Sequence, residues 1–337
     1  MSPAIRSVAV GGASVTMSPD WSPREAFIDD DAAAAVSRIE ETYAGLVGRI
    51  DEFLNEREVS DVRTGTQAKV RESLTVINRA LNQYGYPSKL TCWRFDRQPD
   101  GRWRFNDIAL SFNGGKDCLV LLLLYIYILH DQHCALRPIP TCFVTPPHSF
   151  PEIDEFVTSC AKQYNLDVER IAMPMKPAFE RYLRGHERVR AVLVGTRRTD
   201  PHGENLGYFD ATDHGWPAFM RVQPVINWHY WEIWDVTPPR SPRVPRLFVL
   251  RLLSVCGSGV VFELTFDKFL RAIKVPYCVL YDRGFTSLGG TLDTYPNPLL
   301  KVAGGEGFKP AYELEDESQE RCGRDRHRNQ TGANHEP

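Results

Sequence analysis

The stretch Ile108-Ala109-Leu110-Ser111-Phe112-Asn113-Gly114-Gly115-Lys116-Asp117 decides the fold. Its first three residues form an apolar run that reads as a buried strand, and Lys116 to His130 reads as a helix rich in leucine. Paired glycines between them let backbone N–H groups approach an anion without a Cβ in the way. The amino end of the following helix adds unpaired N–H groups and partial positive charge, which favour phosphate. Lys116 adds a formal charge and Ser111 a hydroxyl donor. The spacing is neither that of a Walker loop nor that of a dinucleotide fingerprint. A plain strand-to-helix turn also tolerates Gly-Gly, so the neighbouring segments have to be weighed with it.

Downstream, short apolar runs alternate with helical ones. Pro140–Val144, Asp167–Ile171 and Arg190–Val194 read as strands, and Glu152–Tyr164 and Pro177–Gly185 as helices. This alternation implies an α/β fold, a Rossmann-like, mostly parallel sheet with helices on both faces. Upstream, Ala33–Arg57 and Thr66–Tyr84 have helical patterns; Val70, Leu74, Ile77 and Leu81 make one apolar stripe, and Gly85 and Pro87 stop it. Residues 1–31 are unpatterned and expected to be mobile, as is the polar tail 325–337. Between them residues 32–324 form one expected domain.

The chain has 337 residues, a net charge of -3 and a pI near 6.3, which gives no support for a general nucleic-acid binder. The eight cysteines contain no C-x-x-C pair and read as reduced thiols of a cytosolic protein. No secretory pattern opens the chain. The longest apolar run, Leu119–Leu129, is shorter than the roughly 20 residues a membrane span needs. No membrane or nucleic-acid partner is expected, and the chain is expected to be a monomer.

A second motif, Gly195-Thr196-Arg197-Arg198-Thr199-Asp200-Pro201, follows the strand Arg190–Val194, at the sheet end where open α/β folds bind ligands. Arg197 and Arg198 suit phosphate oxygens, and Asp200 suits Mg²⁺, which takes one or two carboxylates plus substrate phosphates. Between Asp213 and Val236 lie Trp216, Arg221, Trp228, Tyr230, Trp231 and Trp234. Each aromatic singly is best explained by core packing, although a planar ring could be buried there. A third element runs Pro276-Tyr277-Cys278, Leu280-Tyr281-Asp282 and Gly284-Phe285-Thr286-Ser287-Leu288-Gly289. Glu320-Arg321-Cys322-Gly323-Arg324 closes the patterned region.

The Asn-Gly-Gly-Lys-Asp loop resembles the pyrophosphate loop of the adenine-nucleotide α-hydrolase superfamily, in the version carried by the FMN adenylyltransferase (FAD synthase) branch of the PAPS reductase family. The G-x-R-R-x-D-P motif and the paired arginines Arg321 and Arg324 resemble the same branch, and the Pro276–Gly289 element resembles the P-Y-x-x-L-Y-x-x-G-[YF]-x-S-[IL]-G element of the PAPS reductase family. The resemblance spans most of 66–324. It implies transfer of AMP from ATP to FMN, giving FAD and pyrophosphate, with Mg²⁺ as cofactor. Ser111, Gly114, Gly115 and Lys116 would grip the ATP phosphates, and Asn113 and Asp117 would line the reacting centre. Asp200 would hold Mg²⁺ or phosphate, and Arg197, Arg198, Arg321 and Arg324 would neutralise charge. Trp216 and Arg221 would belong to the flavin and nucleotide pocket, and Phe150-Pro151-Glu152 to the adenine edge. A PAPS reductase is the rival, but Cys322 lacks the histidine of that family's Glu-Cys-Gly-x-His element. An inactive nucleotide-binding homologue is the other. The proline- and arginine-rich segment 237–266 has no counterpart in the family and is expected to be a peripheral excursion, a surface loop or translated intron sequence.

Overall fold

The computed structural model describes residues 6–10, 13–17, 30–57, 59–85, 107–131, 138–234 and 269–324. Segment 237–266 and the tail 325–337 lie outside the described residues. Strands β1 (Arg6–Val10) and β2 (Ala13–Met17), in a region with no legible pattern, pair antiparallel.

The central sheet has six strands: β3 (Ile108–Ser111), β4 (Ile139–Val144), β5 (Leu166–Ile171), β6 (Ala191–Leu193), β7 (Phe209–Ala211) and β8 (Met220–Val222). Their order is β5-β4-β3-β6-β8-β7. All neighbours are parallel except β7, which returns antiparallel along β8. The expected α/β architecture is the observed one. The short β7–β8 pair, three residues each, is too brief to leave a period in the sequence.

Helices α1 (Asp30–Asn55), α2 (Asp61–Ala80), α3 (Lys116–Asp131), α4 (Pro151–Gln163) and α5 (Met175–Gly185) surround the sheet, followed by the short α6 (Tyr230–Trp234) and α7 (Phe269–Ala272). Ser60 starts α2 by accepting the N–H of Arg63, and Pro151 starts α4 where a missing N–H costs nothing. Strand alternation sorts the faces: Ile108 and Leu110 enter a large core with α1 to α4, while Ala109 enters a smaller one with Phe179 and Tyr182 of α5. Leu119 to Leu124 of α3 are completely buried, as befits a helix covered by the sheet and by α1 and α2. None of the helices described is long and apolar enough to cross a membrane.

After β3 the chain turns to β4 and β5 on one side, then crosses back to β6 on the other. The loops leaving β3 and β6 therefore diverge from adjacent strands, and the crevice between them is the ligand position of open α/β sheets.

Candidate active site

The loop after β3 is held from three sides. Asn113 Oδ1 accepts the N–H of Gly115 at 2.9 Å. Gly114 has φ 73°, a conformation that favours glycine, and its missing side chain leaves room for Ile153 and Val157 of α4. The N–H of Lys116, at the start of α3, donates to Tyr281 Oη at 2.8 Å.

The loop after β6 approaches α3 through Gly195. A Cβ there would lie 2.8 Å from Cys118 Sγ and 2.9 Å from the Cys118 backbone nitrogen, so only glycine fits. That approach carries Arg197 against Asp117. Nε and Oδ1 stand 2.6 Å apart as an ion pair, although neither atom meets hydrogen-bond geometry. Asp200 Oδ2 accepts the N–H of Arg197 at 2.8 Å and closes the turn, leaving Oδ1 4.0 Å from Arg197 Nη2.

A carboxylate from the far end of the chain completes the cluster. Glu320 Oε1 accepts from Lys116 Nζ at 2.5 Å and from Arg197 Nη2 at 2.7 Å, and Oε2 accepts from the same Nη2 at 2.5 Å. Lys116, Arg197 and Glu320 are 2%, 1% and 6% exposed. Lys116 Nζ also contacts Asp117 Oδ2 at 3.0 Å and lies 5.2 Å above the Tyr230 ring.

The electrostatics follow from this packing. Burial opposes the charge of Asp117, but Arg197 and Lys116 outweigh it and hold its carboxyl below the ordinary value. Asp200 is raised, first by burial and then by the charge of Asp117. Burial, with the Asp117 charge, pushes the Cys118 thiol up to about 12, so this cysteine beside the loop is no nucleophile at neutral pH.

The structure thus brings together Asn113, Gly114, Gly115, Lys116, Asp117, Arg197 and Asp200, with Ser111 at the end of β3. Several expected site residues have partners within the chain. Lys116 does not present its ammonium to solvent, because Glu320 and Asp117 enclose it. Arg198 is exposed, but it donates to Asn227 Oδ1 and to the carbonyls of Glu204 and Leu206, bracing its own loop. Arg324 donates to the Leu288 carbonyl at 2.6 Å, 3.7 Å from Asp293, locking the C-terminal segment down. Arg221 turns across the β7–β8 pair to the Ala211 carbonyl and Asp213. Trp216 is exposed in the loop joining β7 to β8. Among the described residues the Arg321 side chain has no hydrogen bond or ion pair, its backbone carbonyl accepting the N–H of Arg324, so its guanidinium is available for an anion.

The aromatic run resolves into core. Trp228 donates to Ser73 Oγ and meets Phe269 edge-on, while Trp234 packs edge-on to Tyr277 and Tyr281. Phe150 meets Phe285, and Glu152 pairs with Arg283, joining α4 to the Tyr277–Gly289 element. Glu320 and Tyr281 were missed as site residues. Tyr281 lay inside a recognised motif, and Glu320 beside Arg321, but nothing local signals what either touches.

Together the loops define a nucleotide-binding α/β domain of the pyrophosphate-loop type, and the phosphoadenosine phosphosulfate reductase domain model matches residues 107–178 and 172–248. The fold superposes on a crystal structure of Candida glabrata FMN adenylyltransferase in complex with ATP, with TM-score 0.63 and 25% identity, covering 86% of this chain and 98% of that one. The sequence is 44% identical over 222 residues to a probable FAD synthase of Schizosaccharomyces pombe, 64% of this chain and 71% of that relative. It is 33% identical over 227 residues to a probable FAD synthase of Caenorhabditis elegans, 66% of this chain but 37% of the longer nematode protein. The chain belongs to the FAD synthase family.

Proposed function

We propose that the chain joins ATP to FMN, giving FAD and pyrophosphate. The observation that carries this reading is the meeting of the glycine loop and the Arg197–Asp200 turn at the crevice between β3 and β6, in a member of the FAD synthase family. In the reaction an FMN phosphate oxygen attacks the α-phosphorus of ATP, a new P–O bond forms, and the bond to pyrophosphate breaks.

A phosphate monoester has a second pKa of about 6, so the nucleophile is already largely dianionic at neutral pH. No strong general base is required, and alignment and charge neutralisation supply the rate. The backbone of 113–116 and the start of α3 receive phosphate, and Arg321 is free to meet developing negative charge. Mg²⁺ would be shared between protein and phosphates, and Asp200 suits it because Oδ1 is free of the turn's hydrogen bond. When bound, the ion would neutralise phosphate charge, with Asp200 as its protein ligand.

The test is incubation of the purified chain with ATP, Mg²⁺ and FMN. FAD and pyrophosphate should appear in equal amounts by chromatography, and EDTA should stop both. Absence of FAD with intact, folded protein would overturn the reading.

A further inference from the structure

Two cations at the crevice, Lys116 and Arg197, face three carboxylates, Asp117, Asp200 and Glu320. Asp117 and Asp200 sit beside the cations in sequence. Glu320 comes from 204 residues beyond Lys116 and 123 beyond Arg197. Its placement is itself fixed: Thr286 Oγ1 donates to the Glu320 carbonyl at 2.6 Å, and Asn297 Nδ2 donates to Thr286 Oγ1 and to the Gln319 carbonyl. The backbone that carries Glu320 is thus anchored, and its side chain, accepting from both cations at once, uses donors that could otherwise pair with a phosphate oxygen. Arg197 Nη1 remains buried without a hydrogen-bond partner, so the guanidinium keeps an unused donor at the same place.

We propose that Glu320 is a positioning residue of the phosphate site: its carboxylate holds Lys116 and Arg197 in place and keeps them from closing fully on the phosphates, so that pyrophosphate can leave. The proposal rests on the reading above that this crevice binds phosphates. With Glu320 ionised, the two cations are already compensated, and an incoming polyanion gains less from them. With a neutral side chain, two nearly buried cations lose a counter-charge, and the phosphates themselves supply it.

The test compares the full-length protein with E320Q. Binding of inorganic pyrophosphate is measured by calorimetry in Mg²⁺ buffer, beside steady-state FAD formation and thermal melting. E320Q is expected to bind pyrophosphate about tenfold tighter. Its kcat is expected to fall about tenfold as release slows, and its KM for ATP to fall as well. A residue with a purely structural role would weaken binding and activity together. Pyrophosphate affinity in E320Q equal to or below that of the unmodified protein overturns the proposal. If E320Q does not melt cooperatively, E320D, one methylene shorter, is measured in the same way, and it should show a smaller tightening. Unchanged affinity in E320D overturns the proposal, as does failure of both variants to fold, which would make Glu320 a structural residue. The two readings separate cleanly. A protein that makes no FAD but tightens on pyrophosphate in E320Q loses only the proposed reaction. A protein that makes FAD with equal affinities loses only the role of Glu320.

Discussion

The hydroxyl of Tyr281 accepts the backbone N–H of Lys116 at 2.8 Å, joining two residues 165 positions apart at the first turn of α3. Tyr281 is fully buried, and burial together with the Asp117 charge pushes its phenol well above the ordinary value, so it stays neutral at any working pH. Tyr281→Phe removes the acceptor and strands a buried N–H, which costs about 1–3 kcal/mol. The glycine loop should loosen with it. We expect a lower melting temperature and a fall of about tenfold in FAD formation. Unchanged melting and turnover would show that the bond does not organise the loop.

Gly195→Ala tests the approach of the two loops. The added methyl would lie 2.8 Å from Cys118 Sγ and 3.0 Å from its Cα, and the helix backbone has no rotamer by which to yield. Overpacking of this kind costs about 1–3 kcal/mol. A reduced denaturant midpoint and lost activity are expected. A midpoint matching the unmodified protein would mean that the β6 loop can shift without cost.

Asp200→Ala should largely abolish FAD formation, by about 100-fold or more in kcat, and leave the protein folded. Its carboxylate, 26% exposed, closes a turn at the edge of the ionic cluster rather than packing in the apolar core. A variant with full activity and an unchanged melting temperature would remove Asp200 from the site.

Cys322→Ser should leave activity nearly unchanged. The thiol is exposed, donates to Gln319 Oε1 at 2.8 Å, and has no part in the proposed chemistry. Loss of FAD formation in the variant, or release of sulfite from PAPS by the unmodified protein, would favour the reductase reading.

His229 offers a test by pH. Its Nδ1 lies 3.0 Å from Glu317, which raises its pKa above 6.5, and the charges of Glu317 and Glu232 add to this against the opposing effects of burial and Lys69. A raised histidine pKa contributes stability that is present in full below the unfolded value and lost as pH rises through the folded one. The imidazole is 43% exposed, so the contribution is below about 1 kcal/mol. The melting-temperature gap between the unmodified protein and His229→Gln should be widest near pH 6 and shrink as pH rises. A gap that widens with pH would contradict the ion pair.

What the sequence determined by itself was local. The strand, glycines, lysine and helix of 108–130 act over a few residues, and the alternation after them repeats at the spacing of single elements. Backbone geometry and burial period are short-range properties, so the strands β3 to β6, the helices on both faces and the two loops that leave β3 and β6 were legible, while the three-residue strands β7 and β8 were not. The tertiary structure alone decided which polar atoms those loops still have free. Lys116 and Arg198 looked like phosphate ligands because they are cations in the right loops. Packing brings Glu320 and Asn227 to them across long separations and engages part of their donors. The same holds for the tryptophans, whose spacing fits a core or a pocket equally well until Ser73, Phe269 and Tyr281 close around them. Charge compensation in a buried cluster depends on distance in space, and a linear chain records only distance along itself.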